Sequence, residues 1–211
     1  SSDLIKCWGY NLYGQLGIGS TTNRGDSTAP DHAMGSLLPA VVLGTGRKAK
    51  SVSMGRWHSC AILDNNALKC WGNNGWGELG YGSSATIGDT LGEMAALPSV
   101  DLGTDRKVSA VAGGGWHTCA ILDNKTVKCW GKNGQGQTGQ VTGLYPNLSD
   151  EPGETGNNIP GVNLGVRVRL VSAFGSHSCA VLENRKLECW GWNTPGQLGY
   201  DDTDIQIGRA H

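Results

Sequence analysis

The sequence predicts an all-β chain built from four-stranded antiparallel blades of a β-propeller, about three and a half repeats in all. Three observations predict it. The block at 57–72, Trp-His-Ser-Cys-Ala-Ile-Leu … Lys-Cys-Trp-Gly, is written again at 116–131 and 176–191, and its second half stands alone at Lys6-Cys7-Trp8-Gly9. Successive second cysteines (Cys7, Cys70, Cys129, Cys189) lie 63, 59 and 60 residues apart, a period longer than one hairpin needs. Within each period, short apolar runs are cut by Gly, Asn and Pro turn signals, and no stretch carries the 3.6-residue periodicity of an amphipathic helix.

Each period opens on an alternating segment, at 49–54, 108–112 and 168–173, in which Val52, Val111 and Val171 precede a histidine (His58, His117, His177) by six residues. These read as the innermost strands. A glycine-rich turn leads into a hairpin whose two cysteines stand ten positions apart around the polar breaks 64–66, 123–125 and 183–185. If Leu63 faces Ala67, counting outward sets Cys60 against Cys70, and likewise Cys119 against Cys129 and Cys179 against Cys189. Opposed residues of a non-hydrogen-bonded pair have Cα atoms roughly 4.5 Å apart, the short end of what a disulfide tolerates, so three intra-hairpin disulfides are expected. Cys7 is left without a partner in this chain. The third tip residue (Asn66, Lys125, Arg185) is expected near the left-handed region, which Asn accepts more readily than Lys or Arg.

A glycine-punctuated loop follows each Trp-Gly, at 11–17, 73–80, 133–139 and 193–199, and then a polar insertion holding Asp26, Asp89 or Asp150. The runs 38–44, 97–103 and 159–165 are expected to supply a fourth, short edge strand, with Pro at the start, where an edge tolerates the missing donor. This divides the single repeat domain 1–211 into a partial blade 1–46, blades 47–105 and 106–166, and a second partial blade 167–211.

Composition narrows the function classes. Gly is 34 of 211 residues, about twice average usage, and eight Trp stand beside a single Phe, as in a fold with many tight turns and a few bulky residues reused at fixed positions. With a formal charge of −1 and no basic run beyond two residues, nothing advertises nucleic acid as a partner, and no apolar run is long enough for membrane insertion. Six of seven cysteines fall into hairpin pairs, which suits an oxidising, extracellular or cell-surface location. A spacing of ten with no CxxC does not suit a metal site.

The pattern Val-x5-His-(Ser/Thr)-Cys-Ala-Ile-Leu … Cys-Trp-Gly-x-Asn-x-x-Gly-Gln-Leu-Gly resembles the repeat of the regulator of chromosome condensation family, which implies a seven-bladed propeller. The likeness covers almost the whole chain. The paired cysteines and the long insertion, complete at 88–103, are similar to secreted or surface-displayed members more than to the nuclear exchange factor. Glu78 in place of Gln, Thr138 in place of Leu and His32-Ala33 in place of Gly-Glu depart from the pattern. The resemblance implies a structural or protein-interaction scaffold in a surface or fibre assembly, whose partners are further copies or the rest of a larger propeller. That the chain is such a segment is expected from the missing strand opposite Cys7 and the missing edge after 201–211. A carbohydrate-binding module is the first alternative, and guanine-nucleotide exchange on the small GTPase Ran the second.

His58, His117 and His177 recur in every full period, so they are expected to be structural, each imidazole tying its blade to neighbouring groups. No Ser-His-Asp or Cys-His constellation recurs with them, so neither catalysis nor a cofactor is expected. Trp8, Trp71, Trp130 and Trp190 are fixed by the repeat and read as core. Trp57, Trp76, Trp116 and Trp192 vary between repeats and read as exposed recognition residues, for protein or glycan. Asn124-Lys125-Thr126 and Asn147-Leu148-Ser149 match the N-glycosylation sequon. Arg24-Gly25-Asp26 matches an adhesion tripeptide, but its equivalents Ile87-Gly88-Asp89 and Ser149-Asp150 make it a loop whose Asp starts a turn.

Overall fold

The computed structural model describes residues 4–204 apart from Asp31, Ala33 and Asp201, so most of the insertion at 201–211 lies outside the described residues. Three antiparallel sheets follow one another along the chain. The first comprises β1 (Ala49–Met54), β2 (His58–Leu63) and β3 (Leu68–Gly72). The second comprises β4 (Val108–Gly113), β5 (His117–Leu122), β6 (Val127–Lys132) and β7 (Asn147–Leu148). The third comprises β8 (Val168–Phe174), β9 (His177–Leu182) and β10 (Leu187–Gly191). Among the described residues one α-helical turn, α1 (Glu93–Ala96), lies in the insertion after the first sheet.

The hairpins take the expected register. Cys60 pairs with Cys70, Cys119 with Cys129 and Cys179 with Cys189, and all three pairs are disulfides with Cα atoms 4.1, 4.1 and 4.0 Å apart. At the tips Asn66, Lys125 and Arg185 have φ of 64°, 68° and 70°. The hairpin places a left-handed residue there whether or not the side chain favours it.

Burial shows how the sheets stack. Every residue of β2 and of β5 is buried, because a sheet or loop covers each face. Strand β9 has nearly the same sequence, yet its burial alternates. Ser178, Ala180 and Leu182 face the second sheet, while His177, Cys179 and Val181 are only half-buried. One apolar cluster fills the space between the first and second sheets, with the Cys60–Cys70 bridge against Val108, Leu122 and Trp130. A second joins the Cys119–Cys129 bridge to Val168, Leu182 and Trp190, and a third packs Val41 and Leu43 on Leu63 and Trp71. The first two disulfides thus lie in apolar layers between blades and brace the hairpins that form one wall, while Cys179 of the third is half-buried.

The expected fourth strand at 38–44, 97–103 and 159–165 is corrected. None of these runs forms a strand: Val41 N–H donates to Ile5, Val100 N–H to Leu68 and Val162 N–H to Val127, at 2.8–2.9 Å, and the last run adds one isolated bridge, Gly161 to Lys128. The other end of the third strand is bridged by the insertion instead, at Gly9–Arg24, Gly72–Ile87 and Gly131–Leu148. The outer edge offers backbone groups only at alternate residues, and in the first sheet a side chain takes the middle one. The Tyr81 hydroxyl accepts from Cys70 N–H at 3.1 Å and donates to Cys70 C=O at 3.2 Å. Tyr200 does the same for Cys189. Two chain segments and a phenol therefore share the work of one edge strand.

Replacing Cys119 and Cys129 together by Ser should lower stability by on the order of 2–3 kcal/mol, the chain-entropy value for a loop of about ten residues. Urea unfolding of the oxidised protein and the variant measures it.

Candidate functional site

Between consecutive blades a repeated polar contact closes over the apolar layer. The backbone carbonyl of Glu78, in the loop after β3, accepts the indole N–H of Trp130 at 3.0 Å and the hydroxyl of Thr118 at 2.8 Å. The carbonyl of Gln137 accepts from Trp190 at 3.0 Å and Ser178 at 3.0 Å. That of Gln15 accepts from Trp71 at 3.0 Å and Ser59 at 2.8 Å. The histidine of the earlier blade completes the contact, with Nε2 of His58 2.9 Å from Thr118 Oγ1 and Nε2 of His117 2.8 Å from Ser178 Oγ. A hydroxyl has one proton, and the carbonyl takes it, so the imidazole donates through Nε2–H. Accordingly Nδ1 of both rings has no hydrogen-bond partner. Each ring instead lies over a glycine: a Cβ built at Gly55 would come 2.5 Å from His58 Nδ1, and one at Gly114 would come 2.4 Å from His117 Nδ1.

Burial fixes the charge state. Desolvation pushes His58 down to about 4 and His117 down to about 3, with the neighbouring histidines adding to the second shift. Because the unfolded imidazoles titrate near 6.5, their stabilisation is present above that pH and is lost as pH falls toward the folded values.

The contact is made between consecutive blades, and the terminal repeats of the described chain show it from one side. Trp71, Trp130 and Trp190 are buried, and Trp8 is 62% exposed. His177 is half-buried, its pKa lowered by desolvation, with no hydroxyl of a following blade opposite it. Leu187, whose counterparts Leu68 and Val127 are buried, is 64% exposed. Beside Trp8 a cleft of about 530 Å³ is lined by Cys7, Val52, Met54, Trp57 and His58, among others. Cys7 is a free cysteine that also packs against the third apolar cluster, and burial raises its pKa.

Three of the four variable tryptophans come together on the face opposite the hairpin tips. Arg56 Cζ lies 5.2 Å from the Trp57 ring centre and 5.0 Å from that of Trp116, and Lys132 Nζ lies 4.4 Å from Trp76 and 5.2 Å from Trp116. Tyr10 and Tyr13 reach Trp57 with ring centres at 5.4 and 5.8 Å. Trp192 is 41% exposed and donates to Thr194 within its own loop. Among the described residues no three His, Cys, Asp or Glu side chains gather as for a metal ion, and no helix is long and apolar enough to cross a membrane.

The sequence model described as the Regulator of chromosome condensation (RCC1) repeat matches residues 7–62, and a second of the same description matches 49–78 and 108–137. The chain is built of RCC1 repeats. It is 28% identical over 205 residues to the ultraviolet-B receptor UVR8 of Arabidopsis thaliana, covering 93% of this chain and 39% of the receptor. It is 32% identical over 152 residues to the X-linked retinitis pigmentosa GTPase regulator of Mus musculus, covering 72% and 14%. Among solved structures, Prp20p from Saccharomyces cerevisiae superposes with a TM-score of 0.70 at 18% identity, covering 98% of this chain and 45% of that one, a likeness of fold. The chain thus spans less than half the length of each.

Within these RCC1 repeats the Asn of the Trp-Gly-x-Asn motif has a role the sequence did not assign. Asn11, Asn74, Asn133 and Asn193 are fully buried. Each Oδ1 accepts the N–H five residues on, at Leu16, Leu79, Thr138 or Leu198, and each Nδ2 donates to the returning insertion. That bond presents the Gln15, Glu78 and Gln137 carbonyls. The invariant spacing to the Gln position was the available signal. The two sequons differ in setting. Asn124 is exposed at a hairpin tip, whereas Asn147 lies in β7 with its amide donating to Asp150 at 3.0 Å and Ser149 buried.

Glu78 is a liability in this arrangement. Burial pushes its carboxyl up to about 7, against the weaker pull of the Glu78 and Trp76 amides, so folding favours the protonated form. Its contribution is intact below the unfolded value of 4.5 and is lost as pH rises toward 7. Glu78→Gln, the residue at positions 15, 137 and 197, should stabilise the protein by on the order of 2–3 kcal/mol at pH 8 and change little at pH 4. Urea unfolding at the two pH values checks it.

Proposed function

We propose that this RCC1-repeat chain is an extracellular protein-interaction scaffold whose open blade faces are completed by protein, either further repeats of the same polypeptide or another copy. The unfinished blade contact carries this reading. Trp8, His177 and Leu187 hold positions that are buried in the interior blades, and each is uncovered here. Large apolar side chains left open next to a backbone edge favour association. Val52 at 51% and Met54 at 69% exposure extend the same face.

Three disulfides are compatible with an extracellular location. In that setting Asn124 carries an N-glycan, and Asn147, held by Asp150, is the poorer acceptor. A non-enzymatic role agrees with a polar core made of histidines committed to neighbouring blades. The mouse relative is named a GTPase regulator, and Prp20p is described together with its binding to Gsp1p and histones. Both favour a protein as the class of partner. Nucleotide exchange on a GTPase is the weaker reading, since this chain covers 14% of the one and 45% of the other. Sugar stacking on the variable tryptophans is weaker too, because Arg56 and Lys132 stand over Trp57, Trp76 and Trp116.

Sedimentation velocity on the 211-residue chain should show concentration-dependent association that Trp8→Ser combined with Met54→Ser reduces. A monodisperse, cooperatively folded monomer with Cys7 a free thiol would contradict the proposal.

A further inference from the structure

We infer that the stripe formed by Trp57, Arg56, Trp116, Lys132 and Trp76 is a docking site for an extended acidic segment of a protein partner. The inference rests on the protein-partner reading; the stripe adjoins one open blade end, where Arg56 and Trp57 also line the cleft beside Trp8, but Trp116, Lys132 and Trp76 lie away from it. The stripe is made by the turns between the first and second strands of two blades and by the loops after their third strands, so it continues across a blade boundary.

The two cations are held in an unusual way for surface groups. Arg56 sits between the Trp57 and Trp116 rings, and Lys132 between Trp76 and Trp116. Ring walls on two sides restrict side chains that would otherwise lose much rotamer entropy on binding. A guanidinium stacked on an aromatic face still directs its in-plane N–H groups outward, in the geometry that receives a carboxylate. Among the described residues neither the Arg56 guanidinium nor the Lys132 ammonium has a carboxylate or carbonyl acceptor. Other cations are engaged: Arg106 pairs with Asp123 at 3.2 Å, Arg47 with Asp64 at 3.5 Å, and Lys128 donates to Leu102 and Gly156. No acidic residue belongs to the stripe. It is therefore a preorganised donor surface lacking its anion.

Shape and charge select the partner. The two cations share one ring, Trp116, and so lie no farther apart than the sum of their distances to it. In an extended peptide, side chains on one face recur every second residue, about 6.5–7 Å apart, which sets two carboxylates against the two cations. The intervening residue then lies over the Trp116 edge. A long polyanion is a poorer fit, because the chain carries a net charge of −1 and has no broad basic field around the stripe.

Fluorescence anisotropy with a labelled peptide of alternating Asp and Ser, titrated with the full chain, tests this. The expected result is saturable binding that added salt loosens, that Arg56→Gln combined with Lys132→Gln weakens by about tenfold or more, and that Arg169→Gln leaves unchanged. Absence of binding, equal affinity in the double variant, or displacement of the peptide by heparin at lower charge concentration would overturn the inference. Because association through the blade ends is read by sedimentation and depends on Trp8, failure of one reading leaves the other standing.

Discussion

Much of this structure depends on one buried carbonyl per blade boundary. Glu78 and Gln137 each present a backbone oxygen between two sheets, and the next blade supplies an indole N–H and a hydroxyl. An unpaired carbonyl in that position would cost about 1–3 kcal/mol, so the Trp and the Ser or Thr are constrained together. The hydroxyl's proton being spent, the histidine of the earlier blade has to donate through Nε2–H, and burial keeps the ring neutral, which fixes its tautomer. The neutral ring then needs a glycine beneath it, because a Cβ at Gly55 or Gly114 would overlap the imidazole. Four features of the repeat motif thus follow from one acceptor.

Backbones near the blade starts are tied as closely. Arg56 N–H donates to Gly114 C=O at 3.0 Å and Gly115 N–H to Gly175 C=O at 2.8 Å, and a Cβ at Gly115 would stand 2.6 Å from the Gly175 oxygen. On the opposite side, buried Lys69 reaches back to the Leu43 carbonyl at 2.9 Å, as Lys128 does to Leu102. Blades are therefore fastened at both ends of their strands, with the disulfide-lined apolar layers between. This stiffness holds Trp57, Trp116 and Trp76 in register across a boundary, while the hairpin tips, with the Asn124 sequon, point the other way.

The hairpins, the disulfide register and the left-handed tip residues were legible because a ten-residue cysteine spacing and a period-two side-chain alternation leave one solution. The shared edge strand was not. Leu-Pro-x-Val reads as a strand by composition, but the Tyr81 hydroxyl had already taken the Cys70 backbone groups, a contact between distant residues that local pattern does not reveal. Trp8 has the residue type and motif place of Trp71, Trp130 and Trp190, yet it is exposed where they are buried, and local pattern does not distinguish it from them. The aromatic stripe was half legible: variation between repeats singled out Trp57, Trp76 and Trp116, but not that Arg56 and Lys132 fill the gaps between their rings.

The central claim, that neutral histidines donate through Nε2–H to hydroxyls whose protons are committed to carbonyls of the loop, is tested most directly by nitrogen-15 NMR of the imidazoles. The account predicts that His58 and His117 remain in the Nε2–H tautomer, uncharged at pH 5, with exchange-protected ring protons, while the half-buried His177 exchanges readily. Observation of the Nδ1–H tautomer at His58 or His117, or of titration near the ordinary imidazole value at either, would contradict it.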